Sequence, residues 1–279
     1  MSQERDFEPT LVTDHADRMT YSGYLRLDRL LTSQDPLTSP PHHDELLFII
    51  QHQTTELWLK LVVHELSAAT RALAEDNAEP CFKVLARVKR IQEVLYDQWG
   101  VLETLTPSEY TQFRGVLGSS SGFQSVQYRI VEFMLGNKDA RMIDFHKHDP
   151  EASGRLAQAL NQPSIYDEFL RFMARRGLPV PSDVVQRDVT KPHEPSEGVV
   201  EALRLVYSDT SKWWDAYEMA EKLIDIEESF SLWRFRHMKV VARVIGYKTG
   251  TGGSSGVPFL EKMVSHTFFP ELWRVRTAL

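Results

Sequence analysis

The chain has 279 residues, of which 42% are hydrophobic and 25% charged, a composition typical of a globular protein with a large core. Its net charge of −7 at pH 7, without a block of Lys and Arg, excludes a broad basic surface for nucleic acid or anionic lipid. The single cysteine, Cys81, excludes an internal disulfide, a CxxC zinc site and a CxxCH haem attachment.

The chain starts with MSQERDFEPT, a polar and acidic stretch that lacks the pattern of a secretory signal. The apolar run at 46–50 is far shorter than the ~20 residues that span a bilayer, so we expect a cytoplasmic protein without a membrane segment. Beyond this run, apolar residues recur at i, i+3 or i+4, and i+7, while alternating strand-like runs are nearly absent. This pattern predicts an all-α fold.

Caps and prolines mark the predicted helices in chain order. Asp44 is expected to cap a long helix that ends near Leu73, and Pro80 to open a second helix packed antiparallel to the first. The stretch 106–109, Thr-Pro-Ser-Glu, combines a capping box with proline at the first helical position. Further helices are predicted at 123–135, 164–177 and 211–246, and residues 177–197, with four prolines, are predicted to be an irregular surface excursion or a lid.

Five of the ten histidines are expected on the surface, beside prolines, charges or turns: His42, His43, His146, His148 and His193. His52 and His237 differ because each lies one helical turn after an aromatic residue, Phe48 and Trp233 respectively. A histidine in such a stripe is usually a hydrogen-bonded core residue. Two such stripes in one all-α chain also fit helices that enclose a flat apolar cofactor, with one imidazole bound to its metal.

Neither HExxH nor a carboxylate at HxD/E spacing surrounds His52 or His237, which argues against a non-haem metal site. A single axial histidine on a haem leaves one axial position open, as oxygen binding or activation requires.

The glycine-rich stretch 250–256 lacks the Lys of a P-loop and follows a helix, so it is not a nucleotide loop. It fits either a flexible linker or a loop whose bare backbone approaches a ligand. A second Gly/Ser stretch at 118–122 follows Tyr110 and Arg114, which share one helix face. An arginine there fits either solvated surface or a bidentate grip on a carboxylate.

Five stretches together resemble the tryptophan 2,3-dioxygenase family, and the resemblance covers nearly the whole chain. They are Tyr21–Leu25 (YSGYL), Phe48–Gln53 (FIIQHQ), Phe113–Gly115 (FRG), Gly118–Ser125 (GSSSGFQS) and Gly250–Gly256 (GTGGSSG). The resemblance implies one all-helical domain over residues 1–279, a helical bundle that encloses haem b. It also implies a homotetramer in which residues 1–40 contact a neighbouring subunit.

The implied activity is insertion of both atoms of dioxygen into the C2–C3 bond of the L-tryptophan indole, giving N-formyl-L-kynurenine. This is the first step of tryptophan degradation by the kynurenine pathway. His237 is implied as the axial ligand of the ferrous haem iron, and His52 as the catalytic residue that hydrogen-bonds the indole N–H. The other implied substrate-binding residues are Phe48, Ile49, Ile50, Gln51, Tyr110, Arg114, Ser121, Gly122 and Thr251, with Tyr21, Tyr24 and Leu25 from the neighbouring subunit.

Two alternatives stay open at this point. One is a related indole-oxidising haem enzyme with a different substrate range. The other is a helical scaffold or sensor that binds haem or a partner helix without turnover.

Overall fold

A computed structural model describes residues 8–279, so the first seven residues of the predicted N-terminal contact segment, 1–40, lie outside the described part. Its α-helices, in chain order, are α1 Tyr21–Leu25, α2 Leu27–Leu30, α3 His43–Ala74, α4 Glu79–Asp97, α5 Trp99–Leu102, α6 Pro107–Arg114, α7 Val126–Leu135, α8 Pro150–Asn161, α9 Ile165–Arg175, α10 Ser182–Val185, α11 Glu197–Ser208, α12 Trp214–Val244, α13 Val257–Val264 and α14 Pro270–Ala278. Three short 3₁₀ helices span Gly115–Leu117, Gly122–Gln124 and Ala140–His146. Residues 8–279 contain no β-strand, which confirms the all-α prediction.

The helix starts follow the local chemistry of the chain. The capping box before α6 is confirmed: the Thr106 hydroxyl accepts from the Glu109 N–H, and the Glu109 carboxylate accepts from the Thr106 N–H. The predicted cap of α3 is wrong. His42 is the N-cap, its ring nitrogen accepting from the Asp44 N–H, so Asp44 lies in the first turn. There its negative charge still interacts favourably with the positive, N-terminal end of the helix dipole.

The core forms where α4 packs along both α3 and α12, with α7 and α9 against the other sides of α3. The turn at 75–78 joins α3 to α4 as in a helical hairpin, as predicted. Leu66, Val88 and Leu223, one from each central helix, have no exposed surface. Burial of each such side chain contributes about 2 kcal/mol, so this three-helix contact is a main source of stability. Within residues 8–279, no helix is both long and apolar enough to cross a membrane.

The proline-rich segment 177–197 is fastened to α9 and α14 by buried charges. Arg187 Nε donates to the Asp167 carboxylate at 2.7 Å, and Glu271 accepts from His193 Nε2 at 2.7 Å and from the Ser196 N–H at 2.9 Å. The surface assignment of His193 is therefore wrong, because its side chain is only 5% exposed against Glu271. The assignment of His146 is wrong as well, since this residue is buried beside α8.

Candidate active site

A cavity of about 580 Å³ lies between α3, α5 and α12. It is bordered by the two Gly/Ser loops, residues 118–122 and the glycine-rich loop 250–256. Its size is in the range of small-molecule and cofactor sites. Phe48 and His52 line it from α3, Trp99 from α5, and Trp233 and His237 from α12. Helices far apart in the sequence thus bring both patterned histidines to one largely apolar space. No residue of 177–197 is among the lining residues, so the proline-rich segment is not a lid over this cavity.

His52 is held by its own helix. Its ring nitrogen Nδ1 lies 2.7 Å from the Phe48 carbonyl oxygen one turn earlier, and the two rings are 4.2 Å apart. Burial lowers the pKa of His52, although the bond to Phe48 and the charge of Glu56 act in the opposite direction. The imidazole is therefore neutral near pH 7, with Nε2 free for an occupant of the cavity.

His237 faces the cavity from α12 and is enclosed by aromatic rings. Its ring stacks on that of Trp99, with centroids 4.7 Å apart and planes 16° from parallel. Burial, with a smaller contribution from His52, lowers the pKa of His237 from 6.5 to about 4. The ring is therefore neutral at physiological pH, and a neutral imidazole nitrogen is a metal ligand. In residues 8–279, no cluster of three or more His, Cys, Asp or Glu side chains is placed to hold a bare metal ion.

Tyr110 and Arg114 lie one turn apart on α6, as predicted, but they meet the cavity differently. Tyr110 lines it and packs against Phe48, with ring centroids 5.9 Å apart. Burial raises the pKa of Tyr110, with the charge of Arg114 opposing the shift. Arg114 is not among the lining residues; its Nη2 donates to the Thr249 carbonyl at 2.6 Å. Arg114 therefore fastens the base of the glycine-rich loop beside the cavity.

The two Gly/Ser loops touch each other at the edge of the cavity. The Thr251 hydroxyl donates to the carbonyl of Ser120. A Cβ atom on Gly252 would lie 2.7 Å from the Cβ of Ser121, a distance that non-bonded atoms do not reach. Glycine at position 252 therefore permits the close approach of the loops.

The structure brings most of the predicted site residues together around the cavity. The lining includes Phe48, Ile49, His52, Tyr110, Ser121, Gly122, His237 and Thr251. It does not include Ile50, which is 43% exposed, or Gln51, which is buried elsewhere on α3. Nor does it include Tyr21, Tyr24 and Leu25, which lie on α1, a helix without buried residues.

Sequence reasoning missed a buried ionic cluster that borders the cavity. Glu132 accepts from Arg129 at 2.5 Å and from Arg234 at 3.0 Å, and Arg234 Nε lies 3.3 Å from the Tyr128 hydroxyl. Arg129, Arg234 and Tyr128 all line the cavity. The sequence held a signal for the buried arginine of this cluster: Arg234 follows Phe230 by one helical turn, on the aromatic face of α12 that also carries His237.

The chain matches known proteins over nearly its full length. The family model described as tryptophan 2,3-dioxygenase matches residues 8–163 and 201–279. A tryptophan 2,3-dioxygenase of Myxococcus xanthus is 59% identical over 276 residues, covering 99% of this chain and 95% of the relative. Proteins of the same name from Serratia proteamaculans and Kineococcus radiotolerans are each 56% identical, covering 99% of this chain and 99% and 96% of the relatives.

The chain belongs to the tryptophan 2,3-dioxygenase family. Both segments that the family model matches contribute to the cavity, the first through α3, α5 and α6 and the second through α12 and the glycine-rich loop. The internal stretch that the family model does not match, residues 164–200, holds α9 and the proline-rich segment. The site is therefore built from the two parts of the chain that carry the family's sequence pattern.

Proposed function

We propose that this chain is a haem-dependent tryptophan 2,3-dioxygenase. It cleaves the indole C2–C3 bond of L-tryptophan with both atoms of dioxygen and forms N-formyl-L-kynurenine, the first step of the kynurenine pathway. The observation that carries the proposal is the cavity in which His52 and His237, from two distant helices, face one apolar space in a chain of this family. Ferrous haem b, a homotetramer and a cytoplasmic location are parts of the same proposal.

The cavity residues fit a haem. His237 offers a neutral imidazole whose ring forms no hydrogen bond within residues 8–279. The indole N–H groups of Trp99 and Trp233 are buried at the cavity without a partner among the described residues, and an occupant with acceptor atoms would satisfy them. His237 would hold the iron. When bound, haem supplies the ferrous iron that activates dioxygen.

His52 and Phe48 orient the indole ring. A carbonyl oxygen only accepts hydrogen bonds, so the contact with Phe48 places the His52 proton on Nδ1 and leaves Nε2 as an acceptor. An indole N–H donates and has no acceptor lone pair, so it matches this nitrogen. Phe48 packs against the flat face of the ring. The site thus selects one ring orientation and excludes water from the reacting carbons.

The charged groups of L-tryptophan are held at the loop side of the cavity. The neutral Tyr110 hydroxyl, whose pKa burial raises further, can donate a hydrogen bond to the substrate carboxylate, and Arg114 offers a guanidinium beside Tyr110. The Thr251 hydroxyl already donates to Ser120, so its oxygen is available to accept from the substrate ammonium group. Both ends of the amino acid are therefore recognised. Neither Ile50 nor Gln51 lines the cavity, so this proposal gives them no direct contact with the substrate.

The subunit contact is proposed for the exposed N-terminal helix. Tyr21 is 77% exposed, Tyr24 75% and Leu25 40%, so α1 presents three large side chains to solvent. Burial of such a patch against another copy is favourable. These residues reach a neighbouring subunit's cavity in the proposed tetramer. Light scattering of the wild type and of a Tyr21→Ser, Tyr24→Ser double variant measures whether assembly depends on them.

Turnover with labelled oxygen tests the proposed function. The purified protein is supplied with haem, reduced, and mixed with L-tryptophan and ¹⁸O₂; mass spectrometry should find two ¹⁸O atoms in N-formyl-L-kynurenine.

His237→Ala should lose stable haem binding, whereas His64→Ala, a change on the exposed side of α3, should keep it. A His237→Ala protein that retains haem but is inactive would contradict the ligand assignment.

A further inference from the structure

We propose that Trp99 is a positioning residue for His237: by stacking on the imidazole, its indole fixes the plane in which that ring presents its metal-binding nitrogen. That Trp99 stacks on His237 follows from the geometry of the two rings and does not depend on the proposed function. Its consequence for iron rests on the proposed function.

The contact has the geometry of a stacked pair. The Trp99 and His237 centroids are 4.7 Å apart, with planes 16° from parallel, so the indole covers the imidazole face. Trp233, one turn before His237 on α12, is nearly parallel to the same ring at 5.9 Å and 23°. Because a ring rotated about its Cβ–Cγ bond would collide with the covering indole, the stack permits a narrow range of ring orientations.

No protein group within residues 8–279 forms the hydrogen bond that usually orients a metal-binding histidine. Such a histidine almost always donates its second ring N–H to a carboxylate, a carbonyl or water, which sets the ring plane. Within residues 8–279, no side chain or backbone group is hydrogen-bonded to the His237 ring. His52 shows the contrast, because its ring is oriented by the Phe48 carbonyl. Among the protein groups around His237, the aromatic rings are the ones that restrict its orientation.

Arg236 on α12, the helix that carries His237, also holds α5, the helix that carries Trp99, in place. Arg236, the residue before His237, donates to the Glu103 carboxylate at 3.2 Å and to the Tyr96 carbonyl at 3.1 Å, on either side of α5. A Cβ atom on Gly100 would lie 3.1 Å from the Arg236 guanidinium, so glycine admits this approach. One residue of α12 thus holds α5 in the position from which Trp99 covers His237.

Ring-current shifts in the haem-free protein test the stack directly. In protein labelled with [ring-¹³C]histidine, the His237 signal, assigned with His237→Gln, should lie upfield of an uncovered imidazole. Trp99→Leu should move it downfield, and Trp99→Phe should keep most of the upfield shift. Arg236→Met, which keeps the indole, should move it in the same direction as Trp99→Leu. Trp213→Leu, which removes a partly buried indole that does not line the cavity, is the matched control and should leave it in place.

The haem-loaded protein provides the second readout. Trp99→Leu should release haem to an acceptor globin about 2- to 12-fold faster, the range expected for loss of one aromatic pair, and should change the low-spin electron paramagnetic resonance g values that report the imidazole plane. Trp99→Phe should restore both. An unmoved His237 signal in Trp99→Leu and Arg236→Met, or unchanged g values, would overturn the inference. A wild type that binds no haem would instead refute the proposed function, while the ring-current result still decides the role of Trp99.

Discussion

The Nδ1–H of His52 donates to the carbonyl oxygen of Phe48 at 2.7 Å, so a backbone group of the same helix fixes the tautomer of a ring that lines the cavity. Nε2 then carries a lone pair and no proton. Burial lowers the pKa of His52, which keeps this neutral form in place near pH 7. His52 is consequently suited to accept a hydrogen bond from the substrate rather than to donate a proton to it.

His52→Ala should therefore lower activity without abolishing it. A hydrogen bond to a neutral acceptor contributes about 1 kcal/mol, so kcat/KM for L-tryptophan should fall about fivefold. The matched substrate is 1-methyl-L-tryptophan, which lacks the indole N–H. Steady-state kinetics with both substrates should show a much smaller loss, or a gain, for the methylated one. Equal losses for both would contradict the hydrogen-bond role of His52.

Arg114→Ala should raise KM for L-tryptophan strongly, because it removes the charge that we propose binds the substrate carboxylate. A charge-assisted hydrogen bond contributes about 1.5–3 kcal/mol, which corresponds to about a 10- to 150-fold change. Tryptamine, which has no carboxylate, should be a poor substrate for the wild type and little affected by the substitution. An unchanged KM for L-tryptophan would refute the carboxylate role of Arg114.

The same substitution should loosen the glycine-rich loop, since Arg114 also donates to the Thr249 carbonyl. Hydrogen exchange at residues 249–256 should therefore be faster in Arg114→Ala than in the wild type. With L-tryptophan bound, exchange in the wild type should slow further.

The helices could be predicted wherever one local signal decides them. The capping box at Thr106 and Glu109 is such a signal, and it was confirmed to the residue. The cap of α3 was misplaced because His42, an uncommon cap, competes with Asp44. Helices α8, α11, α13 and α14 were not predicted, since each has only 8 to 12 residues and offers few turns in which a helical period can be recognised.

The candidate site was predicted through two patterned helices and a resemblance, and its remaining parts depend on packing. His52 and His237 stand out in sequence because each follows an aromatic residue at helical spacing. Trp99 gives no such signal: it reaches His237 only after α4, α5 and α12 pack together. The buried contact of Arg234 with Glu132 is equally non-local, so pattern reasoning could not assign its partner.

Gly252→Ala should raise KM for L-tryptophan by preventing the two Gly/Ser loops from meeting. The added Cβ would lie 2.7 Å from the Cβ of Ser121, so one loop must move away. The control is Gly115→Ala, because a Cβ there meets nothing within 4 Å and its backbone is helical. Combining Gly252→Ala with Ser121→Gly removes the opposing atom and should restore KM toward the wild-type value. No effect of Gly252→Ala alone would count against loop contact during catalysis.

The low pKa of His237 makes the stability of the haem-free protein depend on pH in a defined window. Burial lowers the pKa from 6.5 to about 4, so between these values the unfolded chain binds a proton that the folded chain does not. The free energy of unfolding should therefore rise as pH increases from about 4 to 6.5 and fall as pH decreases through the same window. Urea unfolding at pH 5 and pH 7 should show a smaller difference for His237→Gln than for the wild type. The difference should not vanish, because the pKa of His52 is also lowered by burial. Identical pH dependence in both proteins would mean that His237 does not titrate as a buried neutral imidazole.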